Sequence, residues 1–122
     1  MQFTSKTIDD KKILIVNFLG ETKAESVARV ALEYREYAAK KGCSIVLDFT
    51  EAVNKISVNE GLRLAKQYNG KAFEKLVKIP ITIVANNFDY IFFKVIEQFV
   101  SNQGVQIKTF RQMNQAIAWL DC

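Results

Sequence analysis

The sequence predicts a single α/β domain. It is expected to consist of four successive strand–helix units, with a mainly parallel sheet and an extra N-terminal edge strand. Apolar, β-branched segments alternate with amphipathic ones along the chain, as parallel strands joined by right-handed helical crossovers require. The chain has 122 residues, which suits one domain with one hydrophobic core. We therefore assign residues 1–122 to one domain.

The first third of the chain predicts a hairpin followed by a helix. Residues 2–7 form the edge strand, and a charged turn leads to a nearly continuous apolar strand at residues 12–18. Thr22 and Glu25 have the spacing of a capping box, which marks the start of a helix. Gly42 stands where a C-terminal glycine is expected, so the helix ends there.

An unbroken apolar run marks the central strand. Residues 44–49 contain Ile-Val-Leu followed by Asp-Phe, a pattern typical of a strand buried on both faces. We expect this strand to end near residue 49 and to continue into a polar loop at residues 50–56. Ser57 and Glu60 form a second capping box, so the next helix begins at Ser57. A bend is expected in this helix at Gly70.

The last part of the chain predicts two further strand–helix units. Residues 79–85 and 105–110 form strands, and residues 88–100 and 113–120 form helices. The helix over residues 88–100 is apolar on more than one face, with one stripe expected at Phe92, Val95, Ile96 and Phe99. Such a helix is either buried or covered by a partner. It is therefore our first candidate for a dimer or partner surface.

The composition argues against most kinds of catalytic and cofactor site. The sequence has no histidine, which removes serine–histidine and cysteine–histidine nucleophilic sites. Its two cysteines are too few for a zinc site. No segment resembles a nucleotide-binding glycine loop. We expect a protein that is not an enzyme and holds neither cofactor nor metal; catalysis by Asp48 and Glu51 is the remaining alternative.

Charge and hydropathy predict no nucleic-acid partner and no transmembrane segment. The net charge is +4, but the basic residues are spread from Lys6 to Arg111 instead of clustering beside aromatic residues. No apolar run approaches the roughly 20 residues of a membrane helix. Residues 1–6 lack the apolar core of a secretory signal. We therefore expect a cytoplasmic protein.

Polar side chains follow the predicted parallel strands, whose carboxyl ends meet at one edge of the sheet. Open α/β sheets bind their ligands at that edge. The candidate ligand- or partner-binding residues there are Asp48, Thr50, Glu51, Ser57, Asn59, Asn86 and Asn87, with Phe88, Tyr90 and Phe93 as a hydrophobic wall. The helix start at Ser57 would suit an anion. The alternative is that Ser57 is only a cap and the other polar residues only complete turns.

The order of elements resembles the STAS domains, named for sulfate transporters and anti-sigma-factor antagonists. The resemblance extends over nearly the whole chain and depends on four segments: residues 15–20, 45–49, 57–62 and 109–120. They are similar to the end of the N-terminal hairpin, the central strand, the helix after it, and the terminal strand and helix. The last segment looks like that of uncharacterised bacterial members.

The resemblance implies a non-catalytic, regulatory module that binds a protein partner or a second copy of itself. In antagonist members, phosphorylation of a serine at the start of the helix after the second long strand switches binding to a partner kinase. The corresponding D-S-S-G pattern falls on residues 58–61, where only Gly61 fits and Asn59 takes the phosphoserine place. We therefore expect no such switch unless Ser57 is phosphorylated. Because related α/β folds carry apolar ligands, a small apolar ligand or a lipid is the alternative.

Overall fold

A computed structural model describes residues 2–68, 76 and 78–121 of the chain. The strands of this part are β1 (Gln2–Ile8), β2 (Ile13–Thr22), β3 (Ser44–Asn54), β4 (Ile81–Val84) and β5 (Ile107–Phe110). They form one five-stranded sheet in the order β1-β2-β3-β4-β5. β1 is antiparallel to β2, and all other neighbours are parallel. The predicted α/β architecture, with its N-terminal edge strand, is confirmed.

The helices of the described residues are α1 (Ala24–Lys41), α2 (Val58–Tyr68), α3 (Tyr90–Ser101) and α4 (Met113–Leu120). α1, α2 and α3 lie over one face of the sheet, and α4 packs on the other face against β3, β4 and β5. None of these helices is both long and apolar enough to cross a bilayer. Because three helices cover one face of the sheet and one helix covers the other, the hydrophobic core under α1–α3 is much larger than the core under α4.

The two cores follow from alternation along the central strands. Successive side chains of a strand point to opposite faces. In β3, Ile45 and Leu47 join the core under α1–α3, and Val46 joins the core under α4. The apolar run of β3 is therefore buried on both faces, as the sequence predicts.

β3 is longer than predicted, and the expected polar loop at residues 50–56 is wrong. The strand continues to Asn54 because β2 is also long and pairs with it from Leu19 to Thr22. The register shifts by one residue where Asn17 pairs with Asp48 and Leu19 pairs with Glu51. This shift is a β-bulge with its extra residue in β3. A polar strand segment can persist here because its stability comes from ladder hydrogen bonds to β2.

The two predicted capping boxes have different outcomes. Ser57 precedes α2 and forms the expected reciprocal bonds with Glu60. Thr22, in contrast, belongs to β2, where its hydroxyl donates to the Val53 carbonyl at 3.4 Å, and α1 follows Lys23 without a side-chain cap. Gly42 ends α1 with φ of 69°, as expected for a helix C-terminus. The bend expected at Gly70 lies outside the described residues.

The inward face of α3 is rotated from the predicted stripe. Phe93 and Val100 are buried, and Phe92, Ile96 and Phe99 pack partly buried against the same core. Val95, which was expected in the stripe, is instead 40% exposed. The rotation follows from the position of α3, which contacts α2 on one side and β5 on the other. The spacing of apolar residues along α3 does not by itself determine which side of the helix faces α2 and β5.

Candidate functional site

An apolar cavity of about 150 Å³ lies between the three helices and the sheet. Its floor is formed by β3 and β4, through Leu47, Phe49, Ile81 and Ile83, and one wall is formed by Phe92, Phe93 and Ile96 of α3. Protein interiors are packed as densely as organic crystals and contain few cavities larger than a water molecule. The space between the helices and the sheet is thus less densely packed than a core, and it is partly open at its rim.

Small residues on the helices leave this volume unfilled. Ala24, Ala28 and Ala31 of α1 line the cavity at helical spacing. On α2, Gly61 lines it too, and a Cβ atom at that position would lie 2.7 Å from Ile96 Cδ1. The glycine thus allows α2 to lie close to α3. Larger side chains at the alanine positions would project into the cavity.

Arg35 is the one ionisable side chain among the described residues that line the cavity. It lies four residues after Ala31 on α1 and is only 6% exposed. Its Nη2 donates to the Leu76 carbonyl at a long 3.5 Å. Its Nε is buried and has no hydrogen-bond partner among the described residues. Burial lowers the pKa of Arg35 to about 10, so the guanidinium still carries its charge near neutral pH.

Asp48, Thr50 and Glu51 do not converge on a ligand site. The Asp48 carboxylate accepts the Thr50 N–H at 2.9 Å and thereby satisfies the backbone at the β-bulge. Asp48 alternates with Leu47 and Phe49 along β3, so it points to the face opposite the cavity. Thr50 and Glu51 are exposed. For Asp48, the geometry supports the alternative in which the polar side chain serves the backbone.

Ser57 is engaged in capping α2. Its Oγ accepts the Glu60 N–H at 3.1 Å, and the Glu60 carboxylate accepts the Ser57 N–H at 3.2 Å. The Ser57 hydroxyl also donates to the Glu60 carboxylate at 3.1 Å. Asn59, in the place of the family phosphoserine, is exposed on the first turn of α2. An anion at this helix start would approach the Glu60 carboxylate, which already occupies it.

In the turn before α3, a side chain of the turn also forms a hydrogen bond with the backbone. The side-chain oxygen of Asn86 accepts the Asp89 N–H at 3.0 Å, which is how asparagine stabilises turns. Asn87 is exposed.

The expected hydrophobic wall of Phe88, Tyr90 and Phe93 is wrong. Phe88 is 98% exposed, whereas Phe93 is buried and stacks on Phe49 with ring centroids 4.5 Å apart. Tyr90 lies under Arg111, whose Cζ is 3.7 Å from the ring centroid. Three residues so close in sequence point in different directions around the start of α3. Of the predicted site residues, only Phe93 reaches the cavity.

A second concavity, of about 240 Å³, lies near the ends of α3 and β5 and is polar and basic. Its cations already have partners: Arg111 stacks on Tyr90, and Lys94 forms an ion pair with Glu97 at 3.2 Å. Lys108 lies 5.6 Å from the Phe110 ring centroid. These internal pairings make it a weaker candidate than the apolar cavity.

The sequence prediction missed Arg35 and the alanines of α1. A signal was present, because residues 24, 27, 28, 31, 32 and 35 follow one face of a helix. All are apolar except the last. An arginine at the end of an apolar stripe is normally interpreted as a residue that extends to solvent. Only the packing of α1 against α2 and the sheet shows that it does not.

Comparison with known proteins identifies the fold. A protein of Shewanella loihica PV-4, described as an uncharacterized protein from the DUF3478 family with a SpoIIAA-like fold, is similar in structure with a TM-score of 0.54. The two share 17% identity over 98% of this chain and 92% of that chain. No protein-family model and no curated protein matches the sequence. The chain therefore has a SpoIIAA-like, anti-sigma-factor-antagonist-like fold, and at this identity the similarity does not extend to function.

Proposed function

We propose that the protein is a non-catalytic domain that binds a small apolar ligand in the cavity between α1–α3 and the sheet. The observation that supports this most directly is the cavity itself, about 150 Å³ in volume and lined almost entirely by apolar side chains. A cavity of this size with leucine, isoleucine and phenylalanine walls is large enough for a benzene-sized molecule. Ligand pockets are usually apolar with a few polar groups that fix orientation.

The chemistry of the lining favours binding over catalysis. General acid–base catalysis needs a titratable group within hydrogen-bond reach of the substrate, with a pKa near the working pH. Arg35 is the one ionisable side chain among the described lining residues, and its pKa of about 10 is too high for that role. Asp48, the sequence-based candidate for catalysis, lies on the other face of the sheet.

The test is a matched pair of substitutions on α1. Ala31→Leu fills the cavity, and Ala39→Leu makes the same change at an exposed position of the same helix. Benzene is titrated into each protein while the δ1-methyl signals of Ile81, Ile83 and Ile96 are followed by NMR. We expect benzene to shift these signals in the wild type and in Ala39→Leu, and to bind Ala31→Leu at least about tenfold more weakly. Wild-type methyl signals that do not respond to benzene would overturn the proposal.

A regulatory protein-interaction module is the second candidate, and the outer face of α3 favours it. Phe88, Ile91 and Val95 are 98%, 68% and 40% exposed. Their spacing of three and four residues places them along one side of the helix and the turn before it. Contiguous exposed apolar side chains mark interaction surfaces. The resemblance to antagonist proteins supports the same role, with a regulatory protein or a second copy of the chain as the partner.

Self-association is the form of this second candidate that the purified chain can test. Ile91→Ser removes the centre of the apolar face, and Gln98→Ser changes an exposed polar position of the same helix. Sedimentation velocity over a hundredfold concentration range should show a dimer that is lost in Ile91→Ser and retained in Gln98→Ser. A wild type that remains monomeric throughout would exclude a second copy as the partner. The cytoplasmic location stays a prediction from the sequence.

A further inference from the structure

We infer that the cavity selects small carboxylic acids, with Arg35 as the counter-ion of the carboxylate and the apolar walls around the rest of the molecule. This inference depends on the proposed function, because it specifies the ligand class of the same cavity.

The position of Arg35 defines where the charged end of such a ligand would lie. On α1 the lining residues extend from Ala24 to Arg35, a rise of about 16 Å along the helix axis. Arg35 lies towards the C-terminal end of α1 and bonds to the Leu76 carbonyl, five residues before β4 begins at Ile81. The carboxylate would therefore lie at the amino ends of the parallel strands. That is the edge opposite the one at which α/β sheets usually bind ligands.

Among the described residues, Arg35 uses little of its hydrogen-bonding capacity. A guanidinium has five N–H donors in a planar fork. The structure gives Arg35 one long bond, from Nη2 to the Leu76 carbonyl at 3.5 Å, and leaves Nε without a partner among the described residues. Within the same part of the chain, no carboxylate lies within 4.0 Å of this guanidinium. Buried charges in proteins are normally paired, and a ligand anion would supply the partner that the described residues do not.

Charge balance and size favour a monocarboxylate over a phosphate. One carboxylate neutralises one guanidinium and matches its fork with two parallel hydrogen bonds. A phosphate dianion would leave an extra negative charge next to apolar walls, where desolvation is costly. The cavity volume of about 150 Å³ suits a compact aryl or branched alkyl body. Phenylacetate has this chemistry, and 2-phenylethanol is nearly the same shape without the charge.

The experiment compares three probes by calorimetry and methyl NMR: phenylacetate, 2-phenylethanol and toluene. We expect the wild type to bind phenylacetate at least about tenfold more tightly than 2-phenylethanol, since hydrogen bonds to charged groups contribute about 1.5–3 kcal/mol. Arg35→Met should weaken phenylacetate binding about ten- to a hundredfold, within the same range, and leave toluene binding within about twofold. Arg29→Met, at an exposed position of the same helix, should change neither.

The outcomes separate this inference from the proposed function. If toluene binds and phenylacetate binds no more tightly than 2-phenylethanol, the role of Arg35 is refuted and the apolar site stands. If none of the three probes binds, both are refuted. Arg35→Lys keeps the charge without the fork and should retain part of the preference for the acid. Should Arg35→Met fail to fold, Arg35→Lys and the wild-type ratio of acid to alcohol affinity decide the question.

Discussion

Replacing Arg35 by methionine should stabilise the ligand-free protein. Burial lowers the pKa of Arg35 from its usual value to about 10, which corresponds to about 3 kcal/mol of destabilisation of the charged form. Methionine retains an apolar stem of similar length and removes this charge. The Leu76 carbonyl loses its long hydrogen bond, at a cost of about 1 kcal/mol. The net gain should be about 2 kcal/mol, or about 8 °C in Tm for a domain of this size.

The stabilisation expected from Arg35→Met should depend on pH in a definite direction. The folded-state pKa of Arg35 lies below its unfolded value, so the destabilisation is fully present at any pH below about 10. As pH rises above about 10, the folded protein loses this proton before the unfolded chain does. Wild-type stability then recovers relative to Arg35→Met. The difference between the two proteins should thus be constant at pH 6–9 and decrease above that range.

Urea denaturation followed by circular dichroism at pH 7 provides the measurement, with thermal unfolding as a second readout. The control is Arg29→Met, at an exposed position of α1, which should change stability by less than about 0.5 kcal/mol. Suppose that Arg35→Met proved more than about 1 kcal/mol less stable than the wild type while Arg29→Met did not. The guanidinium would then be well paired within the protein, and a ligand anion would not be needed as its partner.

Two further substitutions test other parts of the structure. Ser57→Ala removes the oxygen that accepts the Glu60 N–H and should cost about 1 kcal/mol in urea denaturation; an unchanged midpoint would mean that the cap contributes nothing. Gly61→Ala gains about 1 kcal/mol in helix propensity, but its Cβ would displace the end of Ile96 towards the cavity. Stability should therefore stay within about 1 kcal/mol of the wild type while benzene binds more weakly, and full retention of binding would contradict the described contact between α2 and α3.

Most of the fold could be predicted because its signals are local. The apolar run at residues 45–47, the glycine at position 42 and the capping box at Ser57 each depend on a few neighbouring residues. The extension of β3 to Asn54 could not be predicted in this way. Its residues are mostly polar, and they form a strand because β2 provides ladder partners from Leu19 to Thr22. A pairing of that kind depends on another strand's length, which the local pattern does not contain.

The candidate site was less predictable, for a different physical reason. Asp48 and Asn86 have the residue types and positions of a strand-end site, but backbone N–H groups two and three residues later use their side-chain oxygens. Arg35 presents the opposite case. Charged residues are almost always exposed, so its burial follows only from how α1 packs against its neighbours. The sequence shows which side chains can bind a ligand, and the packing decides which remain available.

The volume left by the alanines of α1 and the charge of Arg35 point to the same explanation. Taken separately, each feature has an ordinary explanation, since cores contain occasional cavities and arginines occasionally become buried. Both occur here on one stripe of one helix, and each lowers stability. Sequences depart from good packing and polar pairing mainly at functional sites. Ala31→Leu and Arg35→Met should therefore each stabilise the ligand-free protein and each weaken its binding of phenylacetate. A cavity or a buried charge that arose by chance would not produce both effects, higher stability and weaker binding, at both positions.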